Sequence, residues 1–259
     1  MTTLSITDHD TMAGYREVVA DGAVPAAMAL ISGVEINALV PRDLGLMEGE
    51  LHILGFGMDP ADEAFEAALA EQRGHRRLRF ERTAARLREL GLAIDPQVER
   101  ILATEPGART GDALGRPTIA RALMAAGHAT SVEDAFSRLI GHGGPAYVRR
   151  EGLGPIDAIA AIRAAGGLAV LAHFREAPDQ LGVLGELIDH GLDGLEVYYR
   201  TFDDATVAVV RAVADELRLV ATGGTDYHGD TETYAGAHTD LAIPDEVGAE
   251  LLRRTMSRP

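Results

Sequence analysis

Apolar runs of strand length alternate along this chain with longer amphipathic stretches, and the apolar runs repeatedly end on ionisable residues. Residues 3–7 read as a strand, 11–20 as a short helix, 29–35 as a second strand closed by Glu35, and 50–57 as a third with His52 inside it. Pro60 and Asp62 stand where a helix should begin, and the helical pattern then runs to about Leu90, where Gly91 stops it. From 91 to 150 no stretch looks like a core strand; helical runs at 98–103, 118–126 and 132–140 are separated by glycine-rich links. The strand–helix rhythm then resumes, with helices at 155–165, 181–190, 203–216 and 245–256 and strands at 167–172, 194–197 and 219–222.

This alternation argues for parallel strands covered by helices. The scattered polar strand ends suit a closed barrel better than an open sheet. The expected fold is α/β, with 1–60 and 151–259 forming a barrel-like unit and 61–150 a helical insertion. Within the insertion Arg73, Arg76, Arg77, Arg79, Arg82, Arg86 and Arg88 make a dense basic patch.

That patch contrasts with a formal net charge of −16, which opposes attraction to long nucleic acids and anionic membranes. A small phosphorylated substrate is compatible with it, because a divalent cation reverses the potential locally. There is no cysteine, so disulfides and thiolate chemistry are excluded and any metal must be held by nitrogen and oxygen. No apolar run reaches the roughly 18 residues of a membrane span, and the start lacks a signal-peptide pattern. A cytoplasmic location is expected.

The ionisable strand ends are the candidate chemistry. His9 lies between Asp8 and Asp10 directly after a strand; a lone histidine there is more often structural, and Thr7 or Asp8 could simply cap the next helix. Glu35 follows Ala-Leu-Ile-Ser-Gly-Val, and a glutamate taken into an apolar strand needs a partner or a metal. His52, flanked by Leu51 and Ile53, poses the same question, with a hydrogen-bonded core histidine as its ordinary explanation. His173 ends the most apolar strand, and Asp226 and His228 follow Gly223-Gly224-Thr225. On extended backbone two residues two apart point to the same side. Taken together, three histidines, a glutamate and an Asp-x-His pair are too many for independent accidents, and an N/O site for manganese, zinc or iron is the economical reading.

These residues also carry a resemblance. The segments 6–11, 33–35, 51–55, 169–173 and 223–229 resemble, in order, the motifs of the PHP (polymerase and histidinol phosphatase) family of metal-dependent phosphoesterases, closest to its 3',5'-nucleotide bisphosphatase branch. The resemblance implies a distorted (β/α)7-type barrel, here expected to lack its first strand, with the insertion as a substrate cap and up to three divalent ions, manganese favoured and zinc or iron as alternatives. It makes Glu35 a bridge between two ions, with His52 and His173 completing one site, Asp226 in the other, and His9 and His228 on a third. Glu35, Asp226 and His228 count as catalytic. The family's first motif, a His-x-His on an opening strand, is expected before Met1, so the 259-residue chain should hold fewer ions and be weak or inactive unless that strand is restored. The chain departs from the family pattern at Phe174, Thr118 and Gly144, which weakens the transfer of substrate preference.

The implied activity is hydrolysis of a phosphate monoester, such as a nucleoside 3',5'-bisphosphate. The alternatives are a 5' exonuclease-type activity on short RNA, or a non-catalytic metal- or nucleotide-binding relative. Arg116 and Arg149, in Gly/Pro-containing stretches of the insertion, are the candidate phosphate contacts, since the guanidinium fork suits bidentate recognition.

Overall fold

Six strands form one sheet whose order, β1-β2-β3-β4-β5-β6, is also their order in the chain. They are β1 (Thr3–Ile6), β2 (Ala29–Leu39), β3 (Glu50–Phe56), β4 (Leu168–Leu171), β5 (Gly194–Tyr199) and β6 (Val220–Gly224). The structure, a computed structural model, describes residues 2–40, 49–104, 115–227 and 241–257. The sheet is open and curled, a half-barrel with flanking helices, which matches the distorted barrel expected from the sequence.

The strands are not all parallel. β1–β2, β4–β5 and β5–β6 pair parallel, whereas β2–β3 and β3–β4 pair antiparallel. β3 alone therefore runs against the other five. The reason is visible in the spacing: only residues 40–49 separate β2 from β3, too few for the crossover that a parallel pair needs. The second strand also passes through Glu35 instead of ending there. Residues Ile36–Leu39 continue to pair with β3 down to Glu50, so the polar Glu35 and Asn37 lie within the ladder.

Helix α1 (Ala13–Ala20) follows β1. Its first amide is met by Thr11, whose Oγ1 accepts from Ala13 N at 3.2 Å; the N-cap position itself is Met12. In order come α2 (Glu63–Glu89), α3 (Asp95–Thr104), α4 (Arg116–Ala125), α5 (Val132–Ala135, continued by a π turn over Phe136–Ile140), α6 (Pro155–Ala164), α7 (Leu181–Asp189), α8 (Asp204–Glu216) and α9 (Asp245–Met256). Starts are chemically marked. Proline occupies the first turn of α4 and α6, and the Asp203 carboxylate caps α8 by accepting from Thr206 N at 2.8 Å. No described helix is long and apolar enough to cross a membrane.

The chain divides into two compact units, Met1–Ala68 with Leu153–Pro259, and Leu69–Gly152. The second unit has its own apolar core, built on Phe80, Leu87, Ile94, Ile119, Leu123 and Ile140, and no strand among its described residues. Its arginines are largely engaged at the surface: Arg77 with Glu81, Arg82 with Glu151 and Arg88 with Asp95. Arg79 donates to the Val148 carbonyl and Arg86 to that of Tyr147.

In the first unit the pleat sorts the sheet into two faces. One face presents Val34, Ile36, Ile53 and Leu171, all fully buried, and α6 packs on β2, β3 and β4. The other face carries an apolar cluster of Ile31, Leu54, Phe56, Leu168, Val170 and Val220. Toward one end of that same face the apolar residues give way to polar ones.

Candidate metal centre

Register explains why those polar side chains meet. Glu35 lies opposite Leu54 and Asn37 opposite His52, so Glu35 and His52 share a face as diagonal cross-strand neighbours. Because β3 is reversed, its first residues reach the rim where the other strands end. That is why His52 sits near the start of its strand and still belongs with residues at strand ends. His9 arrives beside Glu35 through an isolated parallel bridge, locked by Asp10 N donating to Glu35 O at 2.9 Å and Glu35 N to Asp8 O at 3.0 Å.

His173 reaches the site by a different route. β4 stops at Leu171, and strand alternation would turn residue 173 away from the face that holds Ala172 and Val170. His173 instead adopts φ 34°. A left-handed backbone at a non-glycine residue costs about 1 kcal/mol or more, and it redirects the imidazole. Asp226 after β6 does the same, with φ 45°. Asp226 is thus not on extended backbone, and the alternation argument for the Asp226–His228 pair does not apply; His228 lies outside the described residues.

Three ligand atoms converge. His52 Nδ1 stands 2.5 Å from Glu35 Oε1, His173 Nε2 stands 3.0 Å from His52 Nδ1, and His173 Nε2 stands 3.7 Å from Glu35 Oε1. A tetrahedral ion about 2.0–2.2 Å from each donor would hold them roughly 3.3–3.6 Å apart. The three separations bracket that range. Two imidazoles and a carboxylate, with no thiolate, suit manganese, zinc or iron, so these residues fit a divalent ion. Glu35 Oε2 points the other way, 3.6 Å from His9 Nδ1, and the His9 and His52 rings meet edge-on at 5.5 Å.

Electrostatics separates two buried carboxyls on this face. Burial would push Glu35 up, but its contacts with His173 and His52 and the charge of His9 overcome that and hold it well below the usual carboxylate range. Glu196, on β5, is also buried, at 5 % exposure. Burial pushes it up to about 8; its link to His173 opposes this, and the negative charges of Glu35 and Asp226 add to it. Burial pulls His173 down, yet contact with Glu35 and the charges of Glu196, Glu35 and Asp226 raise it on balance.

Three neighbours were passed over in the sequence. Glu196 Oε2 accepts from His173 N at 2.8 Å. Tyr199 OH donates to Asp226 Oδ2 at 2.8 Å, and Arg200 Nη2 donates to the Asp226 carbonyl at 3.3 Å. Burial first, then the bond to Asp226, raises the Tyr199 phenol. A signal for Glu196 was present, since Gly194-Leu195-Glu196-Val197 repeats the pattern of Gly33-Val34-Glu35. A cavity of about 400 Å³ opens beside these groups, lined by Glu35, His173, Glu196, Thr222 and Asp226 and by residues of β1 and α9.

Arg116 and Arg149 belong to the other unit. Arg116 lies with its guanidinium carbon 5.3 Å from the centre of the Phe136 ring. Arg149 is exposed, and its neighbour Arg150 is the buried one of the pair.

No family model matches the chain. A 3',5'-nucleoside bisphosphate phosphatase from Chromobacterium violaceum is 28 % identical over 237 residues, covering 88 % of this chain and 78 % of that protein. The 5'-3' exoribonuclease Rnm of Salmonella typhimurium is 30 % identical over 240 residues, covering 87 % of this chain and 75 % of the relative. A solved structure from Bifidobacterium adolescentis, described as a candidate metal-dependent phosphoesterase, superposes with a TM-score of 0.77 at 30 % identity, covering 98 % of this chain and 86 % of that one.

Proposed function

We propose, from the premise that this chain belongs to the family of metal-dependent phosphoesterases these relatives form, that it is a PHP-type enzyme cleaving short single-stranded RNA from its 5' end. The convergence of Glu35, His52 and His173 carries the reading of metal-dependent phosphate-ester hydrolysis. The narrower substrate rests on likeness to exoribonucleases at 30 % identity. The net charge of −16 disfavours long duplexes and leaves short strands as partners.

Glu35, His52 and His173 would hold one divalent ion, manganese favoured, with His9, Glu35 Oε2 and Asp226 available to further ions. Such an ion supplies a Lewis acid for a phosphoryl oxygen and acidifies water. The chain's own contribution is orientation. Glu35 stays ionised because the imidazoles face it, and the apolar cluster of Ile31, Leu54 and Val170 lies on the same face. Arg116 and Arg149 are proposed as contacts to substrate phosphates.

The test is incubation with Mn2+ and either a 5'-phosphorylated trinucleotide or adenosine 3',5'-bisphosphate. Stepwise release of 5' mononucleotides is the expected result. Hydrolysis of the bisphosphate with the trinucleotide intact would replace this reading by a small-molecule monoesterase. Mn2+ binding without turnover of either would make the chain a binding protein. Replacing Arg116 or Arg149 by Ala should lower kcat/KM about 10- to 100-fold with metal content unchanged, as loss of a charge-assisted hydrogen bond implies. Unchanged kinetics would return both to the ordinary surface.

A further inference from the structure

Strand β5 contributes none of the three converging ligand atoms, yet its side chains and that of Arg200 just after it touch the left-handed residues that follow both of its neighbouring strands. Glu196 receives the backbone N–H of His173 at 2.8 Å. Tyr199 and Arg200 hold Asp226 from two sides, through its carboxylate at 2.8 Å and its carbonyl at 3.3 Å. His173 and Asp226 are the residues with φ 34° and 45° on the segments that follow β4 and β6, the two strands that flank β5.

A slip in the ladder makes this double engagement feasible. Glu196 pairs with Thr222 and Tyr198 with Gly223, so Val197 is an extra residue in β5. Regular alternation would send residues 196 and 199 to opposite faces; one inserted residue returns them to the same side. Gly224 keeps the path open, since a Cβ there would lie 2.9 Å from Glu196 Oε1.

We propose that β5 is a positioning strand in which Glu196 sets the backbone of His173, and with it the metal-ligating imidazole, while Tyr199 and Arg200 set Asp226. The proposal rests on the reading of Glu35, His52 and His173 as a metal site. Glu196 acts through its acceptor oxygen and not through its charge. Glutamine keeps that acceptor; leucine removes it while filling a similar volume.

Mn2+ titrated by calorimetry into the full chain and its variants tests this. E196Q should bind within about twofold of the parent. E196L should bind about tenfold or more weakly, the usual loss when a partner of a metal ligand is removed. Y199F should bind the first Mn2+ as the parent does and lose about tenfold in kcat at unchanged KM. Amide exchange followed by NMR on the metal-free protein gives a second readout: His173 N–H should be protected in the parent and E196Q and unprotected in E196L. Should E196L not fold, E196M takes its place. Equal Mn2+ affinity and equal His173 protection in the parent and E196L would overturn the proposal. A parent that binds no Mn2+ would instead end the metal reading, and the exchange measurement alone would then decide the role of Glu196.

Discussion

Glu35 and Glu196 are the same residue type, both buried, on the same face of one sheet, and the structure gives them opposite characters. Glu35 sits amid three imidazoles and is held ionised. Glu196 meets one backbone N–H and two neighbouring negative groups, and burial keeps its proton to about pH 8. The two halves of the site also differ in how they are built. On the β2–β3 side Glu35 and His52 are placed by cross-strand register; after β4 and β6 His173 and Asp226 are placed by left-handed backbone that side chains of other residues hold. Register is insensitive to a single side-chain change, whereas a held turn depends on its partner. The first half should therefore keep its shape when altered and lose only its chemistry. The second should lose its shape.

The largest effect is expected from Glu35→Ala. It removes the one anionic ligand between the imidazoles, so manganese or zinc measured by elemental analysis should fall to background. Turnover should drop about 100-fold or more, equivalent to about 2.7 kcal/mol of transition-state stabilisation. Because register places the strands, the variant should still fold, but its metal-free melting temperature should fall, since the ionised Glu35 contributes stability above about pH 4.5 through its imidazole partners and its removal leaves a cavity. Retained metal after this change would mean that His52 and His173 are a core histidine pair and not ligands.

Asp226→Asn should be milder and different in kind. The ion at Glu35, His52 and His173 should remain at full occupancy, with kcat about 10-fold lower. Loss of the ion in this variant would show that the two halves form one inseparable cluster, against the comparison drawn above.

Much of this was legible in the sequence, and the misses share a cause. The helix Asp245–Met256 and the helical character of the insertion follow directly from periodicity and capping residues. Glu35 announced itself because apolar neighbours make a lone carboxylate conspicuous. β2 was ended at Glu35 for the same reason, while the strand continues because its backbone pairs with β3 to Leu39. The reversal of β3 was readable from the short link and was overlooked in favour of the general strand–helix rhythm. The left-handed turns at His173 and Asp226 leave no mark in composition. They arise from tertiary hydrogen bonds, above all those from β5, and period-two reasoning fails at such residues. Glu196 stands inside a strand, not at its end, and a search for ionisable strand ends does not reach it.

The smallest predicted effect is also the most direct test of the contrast between the two carboxyls, and it needs no metal. A carboxyl whose folded pKa is raised keeps its proton in the native state while the unfolded chain, near 4.5, has lost it. Between those values the native state binds more protons, so stability falls as pH rises, by up to about 1.4 kcal/mol per unit for one group. For Glu196 that window runs from about 4.5 to about 8. Glu35, held low, acts in the opposite sense: its contribution is present above about 4.5 and is lost only as pH falls below it. His173, raised, contributes below its ordinary value of 6.5 and loses that contribution as pH climbs through its folded value. Glu196→Gln removes its own contribution, reduces the rise at His173 in the same sense, and keeps the acceptor to His173 in place. Thermal melts of the chelator-treated protein from pH 5 to pH 8 should show the variant gaining on the parent as pH increases, by a few degrees per unit at most for a chain of this size. A constant difference across that range would mean that Glu196 ionises like an ordinary carboxylate, and the two buried glutamates would then differ in position alone.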